Sequence, residues 1–327
     1  MIRTTLAEQI GKDQARNKAS GELSLLLNRI TLGGRLIATE IMRAGLDEKL
    51  GKTGDVNVQG EEVKALDVIS NEIFLDVFSN IDVVKSMASE EMEDAHYYSG
   101  DRAGKYVVMF DPLDGSGNID VDGSLGTIFS ILRRKDPESV ATAEDFYRLG
   151  TEQIAAGYLL YGPATMFVYT AGNGVNGFTL DRSVGVFFLT HENMQFPEGC
   201  GSYSVNEANE LKWDDKTKEM VRKFRQGETS CGKRSARYVG ALVADFHRTL
   251  IQGGVYMYPG DSTAPNGKLR LLYEAAPQAL VAREAGGAAS TGKEDVLAVK
   301  PEGLHQRVPL YIGSKPDVAE AVRLLNG

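Results

Sequence analysis

The chain has 327 residues, which is long enough for one large domain or two domains of ordinary size. With 42% hydrophobic and 25% charged residues it has the composition of a globular protein, and no apolar run approaches the ~20 residues of a membrane span. The 45 acidic residues outnumber the 36 Lys and Arg residues, and this excess argues against nonspecific binding to nucleic acid, which needs a basic surface.

The first part of the chain predicts two helices followed by two strands that end in acidic residues. Apolar residues at helical spacing predict helices over residues 25–41 and 63–78, separated by a polar, glycine-spaced stretch over 45–60. Apolar runs at 81–84 and 106–110 predict buried strands, each followed by carboxylates.

The remaining pattern divides into a β-rich part and a mixed part. Residues 154–170 and 177–190 each predict a hairpin, so the middle of the chain is expected to be antiparallel. After residue 196 helices alternate with strands: helices over 214–225, 241–251 and 269–285, strands over 255–258 and 308–313, and a last helix opened by Pro316. We therefore expect an N-terminal domain of residues 1–196 and a C-terminal domain of residues 197–327.

The motif with most chemical content is Asp111-Pro112-Leu113-Asp114-Gly115-Ser116-Gly117-Asn118, directly after the strand at 106–110. Two carboxylates three residues apart can converge on one cation, and Gly115 lets backbone amides approach an anion such as phosphate. Both features in one loop predict a metal-assisted phosphate site. The alternative is an Asx-type turn that only ends the strand.

Further acidic residues precede this motif. Glu90 and Glu91 follow the first apolar run, and Asp67 lies beside the apolar stripe of the helix at 63–78. Acidic residues in such positions are often a solvated face, but their place beside a second acid-ended strand favours one shared site. Oxygen ligands without a Cys/His cluster favour Mg²⁺ or Mn²⁺ over zinc.

With these motifs the chain resembles the class I fructose-1,6-bisphosphatases. The resemblance rests on residues 111–120, 203–207, 236–240 and 265–274. These blocks occur in the same order as in that family, so the resemblance extends over nearly the whole chain. It implies an α/β sugar-phosphatase fold, an αβαβα layered sandwich of two α/β domains. It also implies metal-dependent hydrolysis of the 1-phosphate of fructose 1,6-bisphosphate, in gluconeogenesis or carbon fixation.

The resemblance assigns residues to two ends of such a substrate. Around the metal it places Glu90, Glu91, Asp111, Asp114, Glu274 and the Leu113 carbonyl, with Asp67 or Glu91 acting on the attacking water. Around the sugar and its phosphates it places Asp114, Gly115, Ser116, Gly117, Asn206, Arg237, Tyr238, Tyr258 and Lys268. Arg237 is expected to reach the distal phosphate of a neighbouring subunit, which implies a homotetramer. Without the neighbouring motifs, Tyr238 and Tyr258 would indicate only ordinary packing in a strand or the core, and not substrate binding.

A regulatory site is also implied. Ser20, Gly21, Glu22, Leu23 and Ser24 resemble the helix-start segment that binds AMP in the family, with Lys105, Tyr106 and Arg133 in matching places. A helix N-terminus with nearby cations suits a nucleotide phosphate. The alternative is a simple Ser cap on the first long helix.

Three positions depart from the family pattern. Gly117 replaces a Ser, Glu61 stands for the usual Asp, and Asn209 replaces a Tyr that contacts the distal phosphate. Cys200 and Cys231 cannot form a disulfide framework, so a cytoplasmic location and ordinary loop thiols are expected.

Three other functions remain open at this point. The nearest is sedoheptulose-1,7-bisphosphatase activity, alone or in addition, since that substrate is one carbon longer. An inositol-type phosphatase would not need the pair Arg237 and Lys268. A catalytically silent sugar-phosphate sensor is the alternative of another class.

Overall fold

A computed structural model describes residues 3–16, 18–47, 52–56, 62–98, 104–197 and 201–327. The α-helices of these ranges are α1 (Leu6–Arg16), α2 (Glu22–Arg43), α3 (Ala65–Ser79), α4 (Asp215–Gln226), α5 (Leu242–Gln252), α6 (Ala276–Glu284) and α7 (Lys315–Asn326). The strands are β1 (Lys52–Val56), β2 (Glu62–Lys64), β3 (Val84–Ser89), β4 (His96–Tyr97), β5 (Tyr106–Asp114), β6 (Leu125–Arg133), β7 (Gln153–Tyr161), β8 (Thr165–Thr170), β9 (Val175–Asp181), β10 (Val186–His191), β11 (Ser202–Ser204), β12 (Ser235–Ala236), β13 (Gly254–Tyr258), β14 (Leu269–Arg270), β15 (Ala288–Ser290), β16 (Arg307–Val308) and β17 (Leu310–Gly313).

An eight-stranded sheet organises the first half of the chain, in the order β10-β9-β8-β7-β6-β5-β3-β4. The strands from β5 to β10 form an antiparallel meander, which confirms the two predicted hairpins. Among the described strands of this sheet only β3 and β5 pair in parallel, with Ser89 opposite Phe110. The carboxyl ends of two parallel strands meet at one edge of a sheet, so this pairing brings the two predicted acidic segments together.

Close contact between α2 and its neighbours depends on two glycines. A Cβ on Gly33 would lie 2.7 Å from the ring of Phe74 in α3, and one on Gly34 would lie 2.2 Å from the side chain of Leu159 in β7. Rather than interrupting the predicted helix, Gly33 and Gly34 let it lie against α3 and the sheet without a break. Phe74 and Phe110 then pack with ring centroids 5.1 Å apart.

A second sheet of five strands, in the order β12-β11-β13-β17-β15, organises the second half. Helices α5 and α6 contact β6 and β7 of the first sheet and β13, β15 and β17 of the second, so they lie between the two sheets. Helices α4 and α7 pack on the far side of the second sheet, and α2 and α3 on the far side of the first. The result is the expected αβαβα layering.

Four predicted elements differ in the structure. The strand expected over 81–84 is β3, which begins only at Val84, and the strand expected over 308–313 is divided between β16 and β17 in two different sheets. The helix expected over 269–285 begins as strand β14, continues as a π-helical turn over Leu271–Ala275, and becomes α-helical only in α6. Residues 111–114 continue strand β5 instead of forming a turn after it, with an irregularity in the pairing to β6 between Asp111 and Asp114. No helix in the described part of the chain combines the length and apolar character needed to cross a bilayer.

Candidate metal and phosphate site

Three buried carboxylates converge between the two halves of the chain. Asp111 and Asp114 come from β5, and Glu274 comes from the π-helical turn after β14. One oxygen of each lies within 4.8 Å of an oxygen of the others, and all three side chains are buried. Residues more than 150 positions apart in sequence therefore form one cluster of oxygen atoms.

Backbone amides hold each carboxylate in place. The Leu113 amide donates to Asp111 Oδ1 at 3.0 Å, and the Arg270 amide donates to Glu274 Oε2 at 2.6 Å. Asp114 accepts from two amides of the first turn of α5, Leu242 N at 3.1 Å and Val243 N at 2.7 Å. A helix N-terminus favours negative charge, so α5 fixes Asp114 across the boundary between the two sheets.

The electrostatics of the cluster disfavour ionised carboxylates. Burial, together with the charges of Glu90, Asp114 and Glu274, raises the pKa of Asp111 well above its ordinary value. Burial raises the pKa of Asp114 to about 6, although the two α5 amides oppose the rise. Burial and the charge of Glu90 also raise the pKa of Glu274, against the opposing charge of Arg270.

This donor set fits a divalent cation. The ligands that hard cations prefer are carboxylate oxygens, and a bound cation would stabilise the ionised forms that burial disfavours. The acidic cluster therefore has the chemistry of a metal site, because three buried carboxylates converge and the described ion pairs bring one cation, Arg270, to them.

Arg270 is the counter-charge that the sequence analysis did not single out. Its Nη1 lies 2.6 Å from Glu90 Oε1 and 3.8 Å from Glu274 Oε2, and both partners are buried. It bridges the edge of the first sheet to the π-helical turn of the second half. The sequence could have indicated Arg270, because this residue lies inside the block of residues 265–274 that carries the family resemblance.

The other predicted acidic residues occupy the margin of the cluster. Glu90 is buried beside Arg270, and Glu91 is half-buried in the turn after β3. Asp67 is buried in the first turn of α3, where it accepts a hydrogen bond from the Lys64 amide at 3.0 Å. Among the described residues, the group within 4.8 Å comprises Asp111, Asp114 and Glu274 only, so Asp67 and Glu91 lie outside it.

The loop after Asp114 turns sharply at Gly115 and packs against the start of α5. Gly115 has a φ of +81°, and a Cβ there would lie 2.4 Å from Cβ of Ala241 at the start of α5. A short 3₁₀ turn over Ser116–Val121 follows, held by a hydrogen bond from the Asn118 amide to the Gly115 carbonyl at 2.8 Å. Gly117 has open space around its Cα, so its departure from Ser removes a hydroxyl without changing the backbone.

The predicted sugar-binding residues lie on the second half of the chain. Tyr238 is 40% exposed, and the side chain of Asn206 accepts from the Ala208 amide at 3.2 Å. Tyr258 ends β13 and is half-buried, and Lys268 is exposed just before β14. Arg237 is exposed after the edge strand β12, with its Nη1 2.7 Å from the Ala236 carbonyl. Asn209, the third departure, is half-buried in the 3₁₀ turn Glu207–Lys212.

The predicted nucleotide segment begins α2 without a serine cap. Gly21 is the N-cap, with a φ of +92°, and Ser20 Oγ donates to Glu22 Oε2 at 2.6 Å. The simple Ser-cap interpretation is therefore wrong. Lys105 Nζ lies 2.8 Å from the Glu22 carboxylate, and Arg133 is exposed at the end of β6. Ser24 donates to Gln14 at 2.8 Å, Leu23 is half-buried, and Tyr106 is buried at the start of β5.

Two positions named in the sequence analysis, Glu61 and Cys200, lie outside the described residues. Cys231 is half-buried, and burial raises the pKa of its thiol. A raised pKa lowers the thiolate fraction at neutral pH, which agrees with an ordinary loop thiol.

Comparison with known proteins identifies the family. The model of the fructose-1,6-bisphosphatase N-terminal domain matches residues 4–192, and that of the C-terminal domain matches residues 196–326. The chain belongs to the fructose-1,6-bisphosphatase family. Within this family it is 48% identical over 320 residues to the class 1 fructose-1,6-bisphosphatase of Trichormus variabilis, covering 97% of this chain and 90% of that protein. The class 1 protein of Chloroherpeton thalassium is also 48% identical, over 94% of this chain and 89% of its own length.

Solved structures of the family share the whole fold. The holo form of the Leishmania major fructose-1,6-bisphosphatase superposes with a TM-score of 0.94 at 38% identity, over 100% of both chains. The T-state form of that protein gives a TM-score of 0.89 at 38% identity over 99% of both chains. The family expectation for the fold is therefore confirmed.

Proposed function

We propose that this member of the fructose-1,6-bisphosphatase family hydrolyses the 1-phosphate of D-fructose 1,6-bisphosphate, giving fructose 6-phosphate and phosphate, with Mg²⁺ as cofactor. The observation that carries the proposal is the buried cluster of Asp111, Asp114 and Glu274 beside a glycine loop. Relatives at 48% identity bear the same name over nearly the full chain, which favours this activity over an inositol-type phosphatase, the sedoheptulose alternative or a silent sensor.

The chemistry divides between the cation and the chain. A bound divalent cation lowers the pKa of a water molecule and offsets negative charge on the phosphate oxygens. The chain would hold that cation with Asp111, Asp114 and Glu274, and with Glu90, Glu91 and the Leu113 carbonyl at the margin. Mn²⁺ suits the same oxygen donors.

Hydrolysis also requires a water molecule, a group that accepts its proton, and groups that bind the phosphate. The water oxygen forms a bond to phosphorus as the ester P–O bond breaks, the water proton passes to Asp67 or Glu91, and the departing sugar oxygen takes up a proton to become the hydroxyl of fructose 6-phosphate. The backbone N–H groups of residues 114–117 would bind the phosphate being removed. In this scheme Asp67 does not bind the cation, because it lies outside the carboxylate cluster, whereas Glu91 follows Glu90 directly and serves at the margin of the metal site.

The other end of the substrate would be bound by the exposed groups of the second half. Lys268, the hydroxyls of Tyr238 and Tyr258, and the Asn206 amide suit a phosphate that is bound and not cleaved. Arg237 stands at the edge of the second sheet, exposed, as expected of a residue that serves a neighbouring subunit. We therefore infer a homotetramer with shared sites, and a cytoplasmic location from the sparse cysteines.

The primary test is phosphate release from fructose 1,6-bisphosphate with and without Mg²⁺. Asp111→Asn and Glu274→Gln are expected to lower turnover by ~10²-fold or more, the scale of losing one preorganised electrostatic group. Glu138→Gln, at an exposed position without a described ion pair, is the matched control and should keep full activity. Metal-independent release, or near-normal turnover in either cluster variant, would contradict the proposal.

Two further measurements address the finer assignments. Mixing Arg237→Ala with Asp111→Asn subunits should restore activity if sites are shared, because one hybrid site then has both residues intact. No recovery after demonstrated subunit exchange would favour self-contained sites. AMP titration tests the segment 20–24 with Lys105, Tyr106 and Arg133, and the absence of both inhibition and binding at millimolar AMP would remove that assignment.

A further inference from the structure

One carboxylate outside the metal cluster has an unusual number of hydrogen-bond partners. Asp245, in the first turn of α5, is 0% exposed. It accepts from Ser204 Oγ at 2.8 Å, from the Val239 amide at 3.0 Å and from the Gly240 amide at 3.0 Å. Arg248 Nη1 lies 3.3 Å away, one turn along the same helix. Removing a carboxylate from water costs free energy unless hydrogen bonds to its oxygens replace the lost water. Asp245 has these hydrogen bonds.

The donors to Asp245 belong to the segments that carry the proposed distal-phosphate residues. Ser204 ends β11, two residues before Asn206, and Val239 directly follows Tyr238. Gly240 adopts a φ of +83°, which turns its amide toward Asp245 and closes the loop onto the helix. Residues 237–240, called here the distal-phosphate loop, are therefore anchored by the buried carboxylate of Asp245.

The same helical turn also holds the metal end of the site. The amides of Leu242 and Val243 bind Asp114, and the side chain of Asp245 binds the loop that precedes the helix. An α-helical turn is a stiff unit with a rise of about 1.5 Å per residue. The spacing between Asp114 and the distal-phosphate loop is thus set by one turn of helix and by five hydrogen bonds to the buried carboxylates of Asp114 and Asp245.

We infer that Asp245 is a positioning residue that fixes the distance between the metal cluster and the distal-phosphate loop. It governs affinity for the phosphate that is not cleaved, and it touches neither the metal nor the reacting atoms. This inference rests on the proposed function. It predicts a selective loss of distal-phosphate affinity, which a general loss of stability or a damaged metal site would not produce.

The variant that isolates this role is Asp245→Asn. The size of the side chain is kept, but only one oxygen remains to accept from the Val239 and Gly240 amides, and the carboxylate charge facing Arg248 is lost, so the loop is held more weakly. Binding of fructose 6-phosphate, which carries only the distal phosphate, is expected to weaken about tenfold or more. The Mg²⁺ concentration that half-maximally stabilises the protein should change by less than about threefold, because the amides that hold Asp114 remain and the charge of Asp245 acts on Asp114 less strongly than burial and these amides do. The matched control is Asp215→Asn, at a fully exposed position of α4.

A second variant keeps the test decisive if Asp245→Asn folds poorly. Gly240→Ala leaves Asp245 in place and strains only the left-handed backbone of the loop, since the added Cβ has its nearest contact at 3.6 Å from the Tyr238 ring. It should weaken fructose 6-phosphate binding in the same direction while Mg²⁺ stabilisation is kept. Wild-type affinity for fructose 6-phosphate in a folded variant of either kind would overturn the inference. Failure of the wild-type protein to bind fructose 6-phosphate would instead overturn the proposed function.

Discussion

The clearest physical prediction concerns the cost of the carboxylate cluster without a metal. Two unit charges about 4.8 Å apart repel by about 3 kcal/mol at an effective dielectric constant of about 20. The rise in the pKa of Asp114 from 3.8 to about 6 corresponds to a similar cost, about 3 kcal/mol at pH values above 6. Neutralising one member should therefore stabilise the metal-free protein, even though it damages the active site.

Glu274→Gln tests this directly. Gln can still accept from the Arg270 amide, and the raised pKa of Glu274 shows that burial and the charge of Glu90 outweigh the opposing charge of Arg270. In the presence of a chelator we expect the free energy of unfolding to rise by about 1–3 kcal/mol, measured by denaturant titration at pH 7.5. With Mg²⁺ the order should reverse, because the variant gains less from the cation.

The control and the refuting result are equally specific. Glu138→Gln should leave stability unchanged with and without Mg²⁺, since its side chain is exposed. If Glu274→Gln is less stable than wild type in chelator, and Mg²⁺ stabilises both proteins equally, then the cluster is neither electrostatically strained nor a metal site.

Other substitutions test the site geometry and a remote titration. Gly115→Ala should lower phosphatase turnover at least ~10-fold, because it places a Cβ 2.4 Å from Ala241 in a left-handed conformation, whereas Gly117→Ala, with open space around it, should remain active. Burial lowers the pKa of His247 to about 4, below its ordinary 6.5, while its Nδ1 is 2.8 Å from the Tyr158 hydroxyl. The unfolded chain therefore binds a proton between pH 6.5 and 4 that the folded protein does not, so stability should fall by up to about 3 kcal/mol as the pH falls through this window. His247→Asn should flatten that dependence in denaturant titrations, and an unchanged slope would show that another group is responsible.

Much of the secondary structure follows from local pattern. The apolar run at 106–110 predicts a buried strand because β5 is covered on both faces, which requires apolar side chains at successive positions. The hairpins over 153–170 and 175–191 follow from turn residues between alternating segments. The start of α6 could not be predicted from local pattern. The apolar residues within 269–275 have a spacing that fits a helix and a strand alike, and the pairing of β14 with β16 decides between the two.

The sequence by itself determined the family, the order of the elements and the residue types of the site, because motifs such as 111–118 specify carboxylates and glycines at fixed local spacing. Only the tertiary structure decided which of the acidic residues share one centre, since Glu274 is 160 positions from Asp114 and meets it through the packing of two sheets. It also decided that Arg270 neutralises part of the cluster, and that one helical turn joins Asp114 to the loop held by Asp245. Contacts between residues so far apart in sequence depend on how the five layers of the fold pack together, which no local sequence pattern encodes.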